Sequence, residues 1–239
     1  MEQYGIIFEK EIDMKALRFI PLLFLMLFAS SSCVEIIDDL SLNADGSGTF
    51  KYTVNLSSSK VKINSILALD TLDGRKVPSL EEIKLDVERL ITAFRTKDGI
   101  SDVTLDENYE DFMFKISCDF NSLFSLQNAI KDVIREETRY KDSPELDHDW
   151  LSLKDGVLER SVPKITIEKA REIKQSDKNL LKEGSYTSIT RFNKVIDDFK
   201  NQNAMVSKNG MAIMLKTDPN SLIEDHHLLD NTIYLKSDN

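Results

Sequence analysis

The chain holds few side chains that suit acid–base, nucleophilic or metal chemistry near neutral pH. The candidates are three histidines and two cysteines: His148, His226, His227, Cys33 and Cys118. No two histidines have the spacing of a zinc-binding H-E-x-x-H helix, and no G-x-S-x-G turn is present to hold a serine nucleophile. The residue types therefore predict no catalytic site, no metal site and no cofactor, and they argue against an enzyme.

The histidines lie in polar sequence surroundings. His148 stands between Asp147 and Asp149, and such a trio could contact a metal ion, but neighbouring side chains of an extended chain point to opposite sides. We therefore expect a solvated loop there, with metal binding as the alternative. His226 and His227 are adjacent and would lie about 100° apart on a helix, so we expect them at an exposed helix end.

Two pairs of neighbouring carboxylates, Asp38-Asp39 and Glu81-Glu82, are candidates for acid–base work. Adjacent side chains diverge, so neither pair is predicted to share a proton. The first pair falls in a predicted strand, and the second falls in the first turn of a predicted helix, where acids complement the helix dipole. Trp150 is expected to pack beneath a polar loop, with stacking on a sugar as the alternative. Ligand-binding residues stay unassigned.

The two cysteines have different sequence surroundings. Cys118 lies in the segment Phe112–Phe120, where apolar residues alternate with polar ones as in a half-buried strand. Cysteine is among the residues most often buried, so we interpret Cys118 as a core thiol and not as a nucleophile. Cys33 follows an apolar segment instead. A disulfide between the two cysteines stays open if Cys33 is unmodified.

The apolar segment before Cys33 covers residues 19–29 and is interrupted only by Pro21. It is much shorter than the roughly 20 residues that a membrane-spanning helix needs. It matches the apolar part of a secretory signal peptide, with Lys15 and Arg18 as the basic flank and three serines behind it. We predict that residues 1–32 are a signal peptide whose true start is Met14, because the residues before Met14 carry acids that such signals lack.

The sequence "FASSSC" resembles the lipobox of bacterial lipoproteins in its looser Bacteroidetes form. The resemblance implies that Cys33 carries the lipid, with palmitate among its acyl chains, and that Ser32 is the residue before the cut. The family prefers leucine three residues before the cysteine, where this chain has Ser30. The alternative is an ordinary signal peptide cut near Ala29 or Ser31. We expect a protein of the cell envelope, lipid-anchored in the outer membrane, on the periplasmic or the surface face.

The charge balance excludes one class of partner. The chain has a net charge of −10, and without residues 1–32, which hold four acids and three bases, the charge is −9. Such a domain repels phosphate backbones, so we expect no nucleic acid partner. The expected partners are the membrane, through the N-terminal lipid, and other envelope proteins. Glu35, Asp38 and Asp39 resemble a surface-export signal, and they also fit the polar positions of a strand.

The periodicity of the chain predicts an α+β fold: a mainly antiparallel sheet built from hairpins, with about three helices packed on one face. Residues 33–239 form a single domain with a polar loop insertion around 140–150. Ser79 and Glu82 form a capping box, Asn121 caps a second helix, and Asn209-Gly210 is the type I′ pair of a hairpin. Residues 57–78 are interpreted as an irregular connection. The other predicted segments are hairpins at 34–57, 100–120 and 150–162, helices at 166–184 and 218–229, and strands at 185–192 and 231–236.

The two ends of the chain resemble small bacterial lipoproteins of the LppM-like kind. These also begin with a cysteine, a first strand and a turn like "NADGSG", and they end with a segment like "VSKNGMAIMLKTDPNSLIEDHHLLDNTIYL". Such families are largely without assigned activity, so the resemblance implies an envelope lipoprotein and no particular reaction.

Three functions follow from these patterns. The first is a non-catalytic, membrane-proximal interaction role, because the first strand starts directly after Cys33 and an extended residue spans at most about 3.6 Å. The second is a periplasmic module that binds a small ligand in an apolar pocket between sheet and helices. The third and least favoured is an envelope hydrolase.

Overall fold

A computed structural model describes residues 34–72, 74–137, 142, 144–162 and 183–237. The predicted signal peptide with Ser32, the predicted lipidation site Cys33, and most of the helix predicted at 166–184 lie outside these residues. The described elements are four α-helices, thirteen strands and three short 3₁₀ helices, the latter at Ser57–Ser59, Pro144–Asp147 and His226–Leu229. In chain order the α-helices and strands are β1 Glu35–Leu42, β2 Gly48–Asn55, α1 Lys60–Leu67, β3 Thr71–Leu72, β4 Arg75–Lys76, α2 Leu80–Arg95, β5 Ile100–Asn108, β6 Met113–Phe120, α3 Leu123–Glu137, β7 Leu151–Lys154, β8 Val157–Arg160, β9 Ser185–Phe192, β10 Ile196–Phe199, β11 Met205–Val206, β12 Ala212–Thr217, α4 Pro219–Glu224 and β13 Asn231–Leu235.

Seven strands form a large sheet in the order β11-β12-β9-β1-β2-β6-β5. Its neighbours pair antiparallel, except for β1 and β9 at the centre, which pair parallel with Glu35 opposite Ser185. Hairpins supply most of the antiparallel pairs, as the turn residues predict. The parallel pair joins the two hairpin systems, because β1 belongs to the first and β9 pairs with β12 of the last.

A second sheet of four short strands has the order β10-β13-β8-β7. The β7–β8 hairpin turns on Asp155 and Gly156, both with positive φ (52° and 75°), which is the backbone that a two-residue type I′ turn requires. Leu153 lies opposite Leu158, and Leu158 lies opposite Ile233. These side chains join the core of the large sheet, so the two sheets share one apolar interior.

The inner face of the large sheet follows the predicted alternation along each strand. Leu40 lies between Phe50 on β2 and Thr190 on β9, and Phe50 in turn lies opposite Cys118 on β6. The most buried side chains of this core, with at most 2% exposure, are Leu40, Leu42, Cys118, Leu126, Ala129, Leu158 and Ile233. Burial of these apolar residues provides the main favourable free energy of the fold.

Helices α2 and α3 cover part of this inner face. The capping box that opens α2 is formed as predicted: the Ser79 hydroxyl accepts from the Glu82 amide at 3.2 Å, and the Glu82 carboxylate accepts from the Ser79 amide at 2.7 Å. Apolar residues at helical spacing place Ile91 and Phe94 in the interior. On α3 the same spacing buries Leu126, Ala129 and Val133 among others. Among the described residues, none of the helices has the length and apolar character to cross a bilayer.

The predicted α+β class, with a large antiparallel-rich sheet and helices, is confirmed, and four local predictions were wrong. Residues 57–78 are not an irregular connection, because they contain helix α1 and the β3–β4 ribbon. None of the residues of α1 is buried, so the sequence shows no apolar helix face there. The four-stranded sheet was not predicted as a separate sheet, since its strands are short. Ser122, not Asn121, caps α3, with its hydroxyl accepting from the Ser125 amide at 3.1 Å.

The fourth wrong prediction concerns the hairpin between β11 and β12. Only Gly210 of the Asn209-Gly210 pair has positive φ, at 69°, whereas a type I′ turn needs positive φ at both residues. The loop is longer, with Ser207 donating its amide to the carbonyl of Ala212 at 2.9 Å. The Asn209 side chain instead accepts from the Met211 amide and holds the loop from within.

Candidate functional site

A cavity of about 570 Å³ lies between the large sheet, helices α2 and α3, and the β7–β8 side of the second sheet. That volume is within the range of about 300–1,000 Å³ typical of small-molecule sites. Most of the lining is aliphatic or aromatic, and the polar lining residues are few. The lining residues are Asp38, Leu40, Phe50, Tyr52, Leu90, Ile91, Phe94, Ile116, Leu126, Gln127, Ile130, Val133, Ile134, Trp150, Leu151, Arg160, Ser161, Val162 and Tyr186.

The sheet wall of the cavity is set by strand register. Asp38 on β1 lies opposite Tyr52 on β2, and Tyr52 lies opposite Ile116 on β6. Residues opposite each other in register point to the same face of a sheet. On the other side of β1, Asp38 lies opposite Ser188 on β9. One row across four strands therefore places a carboxylate and two hydroxyl groups on the inner face of the sheet.

Asp38 is 4% exposed and accepts four hydrogen bonds. Arg160 on β8 donates from Nη1 to Oδ1 at 3.1 Å and from Nη2 to Oδ2 at 2.8 Å. The Tyr186 hydroxyl donates to Oδ2 at 2.6 Å, and the Ser188 hydroxyl donates to Oδ1 at 2.8 Å. A carboxylate has about four lone-pair sites, so these three partners occupy the full acceptor capacity of Asp38.

The electrostatics of this cluster keep its charges paired. Burial alone would lower the pKa of Arg160, but the charge and hydrogen bonds of Asp38 outweigh burial, and the net effect raises that pKa. Burial raises the pKa of the Tyr186 hydroxyl well above its ordinary value, and the charge of Asp38 raises it further. The cluster thus pairs a charged Arg160 guanidinium with the Asp38 carboxyl group and keeps the Tyr186 hydroxyl neutral.

Tyr52 differs from the other members of this row. Tyr52 lines the cavity, and no residue of the described part of the chain forms a hydrogen bond with its hydroxyl. Burial, with a smaller contribution from the charge of Asp38, raises the pKa of Tyr52 to about 12. The group is therefore a neutral hydroxyl with free hydrogen-bonding capacity, located inside an apolar cavity.

Gln127 of α3 fastens the second sheet to the helix layer. Its Oε1 accepts from the amides of Trp150 and Leu151, at 2.6 and 2.9 Å, and its Nε2 donates to the Leu151 carbonyl at 2.9 Å. These bonds occupy backbone groups at the start of β7, the edge strand of that sheet. The buried Lys131, one turn further along α3, donates to Asp149 at 2.6 Å. Together they hold the wall that carries Trp150 and Arg160.

The structure corrects the interpretation of Asp38. Its neighbour Asp39 occupies an outward polar position and pairs with Arg191, but Asp38 points inward, so the expectation that both fit the polar positions of a strand was wrong for Asp38. Arg160 and Tyr186 were not predicted. A sequence signal existed, since Asp38 shares its strand parity with Ile36, Leu40 and Leu42, but its partners lie more than 120 residues away.

The other candidate residues lie apart from this cluster. Cys118 is buried and free, and burial raises the pKa of its thiol to about 11, which agrees with the predicted core position. His148 is half-buried and hydrogen-bonds with the Ser161 hydroxyl at 2.8 Å, so it is not a fully solvated loop residue. His227 contacts Asp230 at 2.6 Å in an exposed turn, with His226 beside it. Within the described ranges, no group of three or more metal-binding side chains occurs.

The chain is similar in structure to the folded domain of the LppM protein of Mycobacterium tuberculosis, solved by NMR, with a TM-score of 0.39 and 10% sequence identity. The alignment covers 88% of this chain and 94% of that chain. No protein-family model matches the chain, and no curated protein matches it in sequence.

Proposed function

We propose that this domain is a non-catalytic binding module that carries a small, largely apolar ligand in the cavity between the large sheet, α2 and α3. The observation that carries the proposal is the cavity itself: about 570 Å³ with a mostly aliphatic and aromatic lining. Apolar lining with a few placed polar groups is the usual composition of a small-molecule site. This places ligand binding ahead of the interaction role that the sequence patterns favoured.

The location of the module is part of the same proposal. Lipid anchoring at Cys33 in the outer membrane is supported by the signal-peptide pattern of residues 14–32 and by the position of the cysteine behind it. Strand β1 begins at Glu35, so Val34 alone separates the sheet from Cys33. The domain would then be held close to the bilayer, where apolar ligands are concentrated and where envelope partners are within reach.

Ligand binding is tested with the full chain and N-phenyl-1-naphthylamine, an uncharged dye that fluoresces in apolar sites. We expect saturable fluorescence with wild-type protein. Ile130 on α3 lines the cavity, and Ile130→Trp should fill part of it and weaken dye binding at least about tenfold, or roughly 1.4 kcal/mol. Phe124→Trp, at a 68% exposed position of the same helix, is the matched control and should bind normally. Equal binding by both variants would contradict a site in this cavity.

Anchoring is tested separately by labelling growing cells with an alkyne analogue of palmitate. We expect label on the wild-type protein and on Cys118→Ala, and none on Cys33→Ala. Because these are the two cysteines of the chain, each variant controls for the other. Label that persists in Cys33→Ala would overturn the lipidation proposal and leave the ligand-binding proposal intact.

A further inference from the structure

From the charge pairing inside the cavity we infer that the ligand has an uncharged, hydrogen-bond-accepting head, such as an alcohol or an ester, and is not a free fatty acid. This inference rests on the proposed function and names the substrate class of the same cavity. The head would lie against the Tyr52 hydroxyl and the Arg160 guanidinium, with the apolar tail along α2 and α3.

Both formal charges in the lining are already compensated. Arg160 places two of its N–H groups on the two oxygens of Asp38, and the two remaining acceptor positions of Asp38 are taken by Tyr186 and Ser188. The pair has no net charge to offer a ligand. Its side chains are 15% and 6% exposed, so bulk water does little to screen any further charge brought beside it.

An anionic head is disfavoured by this arrangement. A carboxylate that accepted from the remaining N–H groups of Arg160 would share that single positive charge with Asp38 and would lie beside the negative charge of Asp38. Two carboxylates would then face one guanidinium, and the uncompensated buried charge is strongly unfavourable. A cationic head fares no better, because Asp38 has no vacant acceptor position and Arg160 repels it.

A neutral acceptor fits the groups that remain available. Tyr52 lines the cavity, and its hydroxyl has no hydrogen-bond partner within the described part of the chain. Its raised pKa keeps it protonated at neutral pH, so it donates. Arg160 has five N–H groups; Asp38 engages two of them, and the Tyr186 hydroxyl also contacts the guanidinium. A hydroxyl or carbonyl oxygen of the ligand would accept from these donors without disturbing the ion pair.

The test compares two ligands that differ only in the head: 1-decanol and decanoate, each displacing N-phenyl-1-naphthylamine from the full chain at about pH 8, where a carboxylic acid of ordinary pKa is ionised. We expect decanol to bind at least about tenfold more tightly than decanoate. Equal affinities, or tighter binding of decanoate, would overturn the inference. Absence of binding by the dye and by both ligands would instead overturn the proposed function.

Two variants sharpen the test. Asp38→Asn removes the negative charge with little change of shape and leaves Arg160 uncompensated, so decanoate should gain at least about tenfold and the preference should reverse. Asp39→Asn, on the outer face of the same strand, is the matched control and should leave both affinities unchanged.

If Asp38→Asn does not fold, Tyr52→Phe tests the inference, since it removes one hydroxyl. It should weaken decanol several-fold more than it weakens the dye; an unchanged ratio of the two affinities would contradict the assignment.

Discussion

The two faces of strand β1 carry the same pair of side chains in different environments. On the inner face Asp38 meets Arg160, with side chains 6% and 15% exposed; on the outer face Asp39 meets Arg191, with side chains 22% and 50% exposed. In both pairs the arginine contacts both carboxylate oxygens, at 2.8–3.1 Å inside and 2.9–3.2 Å outside. Both ion pairs are bidentate, through Nη1 and Nη2 of Arg160 inside and through Nε and Nη2 of Arg191 outside. The main difference between them is burial.

Burial changes what each pair contributes. An exposed pair gains little because water screens it and its long side chains lose freedom. A buried pair loses hydration free energy that its mutual attraction barely offsets, so stability is a poor explanation for its presence. The inner pair lies in the wall of a cavity and the outer pair faces solvent. If the proposed ligand binding is right, the inner pair has a role in recognition that the outer pair cannot have, because only the inner pair lines the cavity.

The largest expected effect is that of Asp38→Ala, which leaves Arg160 buried without its carboxylate. Breaking a buried pair from one side costs about 3–5 kcal/mol, and we expect that loss in the free energy of unfolding. Urea denaturation followed by circular dichroism measures it, with wild type as the reference. A loss below about 1 kcal/mol, the value for an exposed pair, would remove the distinction between the two faces.

Replacement of both inner partners, as Asp38→Leu/Arg160→Met, should behave differently from the single change. Apolar residues of similar volume often match or exceed a buried pair, by up to about 1–4 kcal/mol. We expect unfolding free energy at or above that of wild type, together with loss of the preference for decanol over decanoate. If the double variant is as unstable as Asp38→Ala, the pair has a structural role that we have not assigned to it.

The unfolding free energy at alkaline pH offers a further test of the inner face, because it depends on the pKa of Tyr52. Burial and, less strongly, the charge of Asp38 raise its pKa to about 12 in the folded protein, against about 10 in the unfolded chain. Between these values the unfolded state has lost the proton and the folded state retains it, so stability falls as pH rises from about 10 to 12. One proton corresponds to a slope of about 1.4 kcal/mol per pH unit. Tyr52→Phe should flatten the decline by that amount in urea titrations; an unchanged slope would contradict it.

The smallest effect is expected on the outer face. Arg191→Ala should lower the unfolding free energy by about 0.2–1 kcal/mol, and about 0.5 M salt should abolish most of the difference by screening. Asp39→Ala should give the same result within error, since each change breaks the same exposed pair. A loss of several kcal/mol in either variant would show that the surface pair contributes far more than its exposure implies.

Local features of the fold were predictable because they depend on neighbours in sequence. The capping box at Ser79 and Glu82, the Asp155-Gly156 turn and the alternation around Cys118 each involve contacts within a few residues, and the structure contains all three. Helix α1 was missed for the opposite reason: it buries no residue, so no apolar face marks it. The choice of Asn121 over Ser122 as a cap was an error of one position.

The site was less predictable because its polar cluster is assembled from distant segments. Arg160 and Tyr186 lie 122 and 148 residues from Asp38. The alternation of apolar and polar residues predicts strands but does not predict which strands lie next to each other. The one local indication was a charged residue within the apolar set of β1. An acid on the buried parity of a central strand requires a partner, and that requirement predicts a buried cluster without naming its members.

The parallel pairing of β1 with β9 has a consequence for biogenesis. The first strand of the domain finds one of its two neighbours about 150 residues later in the chain, so the centre of the large sheet closes only after most of the polypeptide is in place. Such long-range pairing slows folding and leaves a strand edge unprotected in the meantime. One edge of β1 therefore stays without its neighbour until β9 has been synthesised.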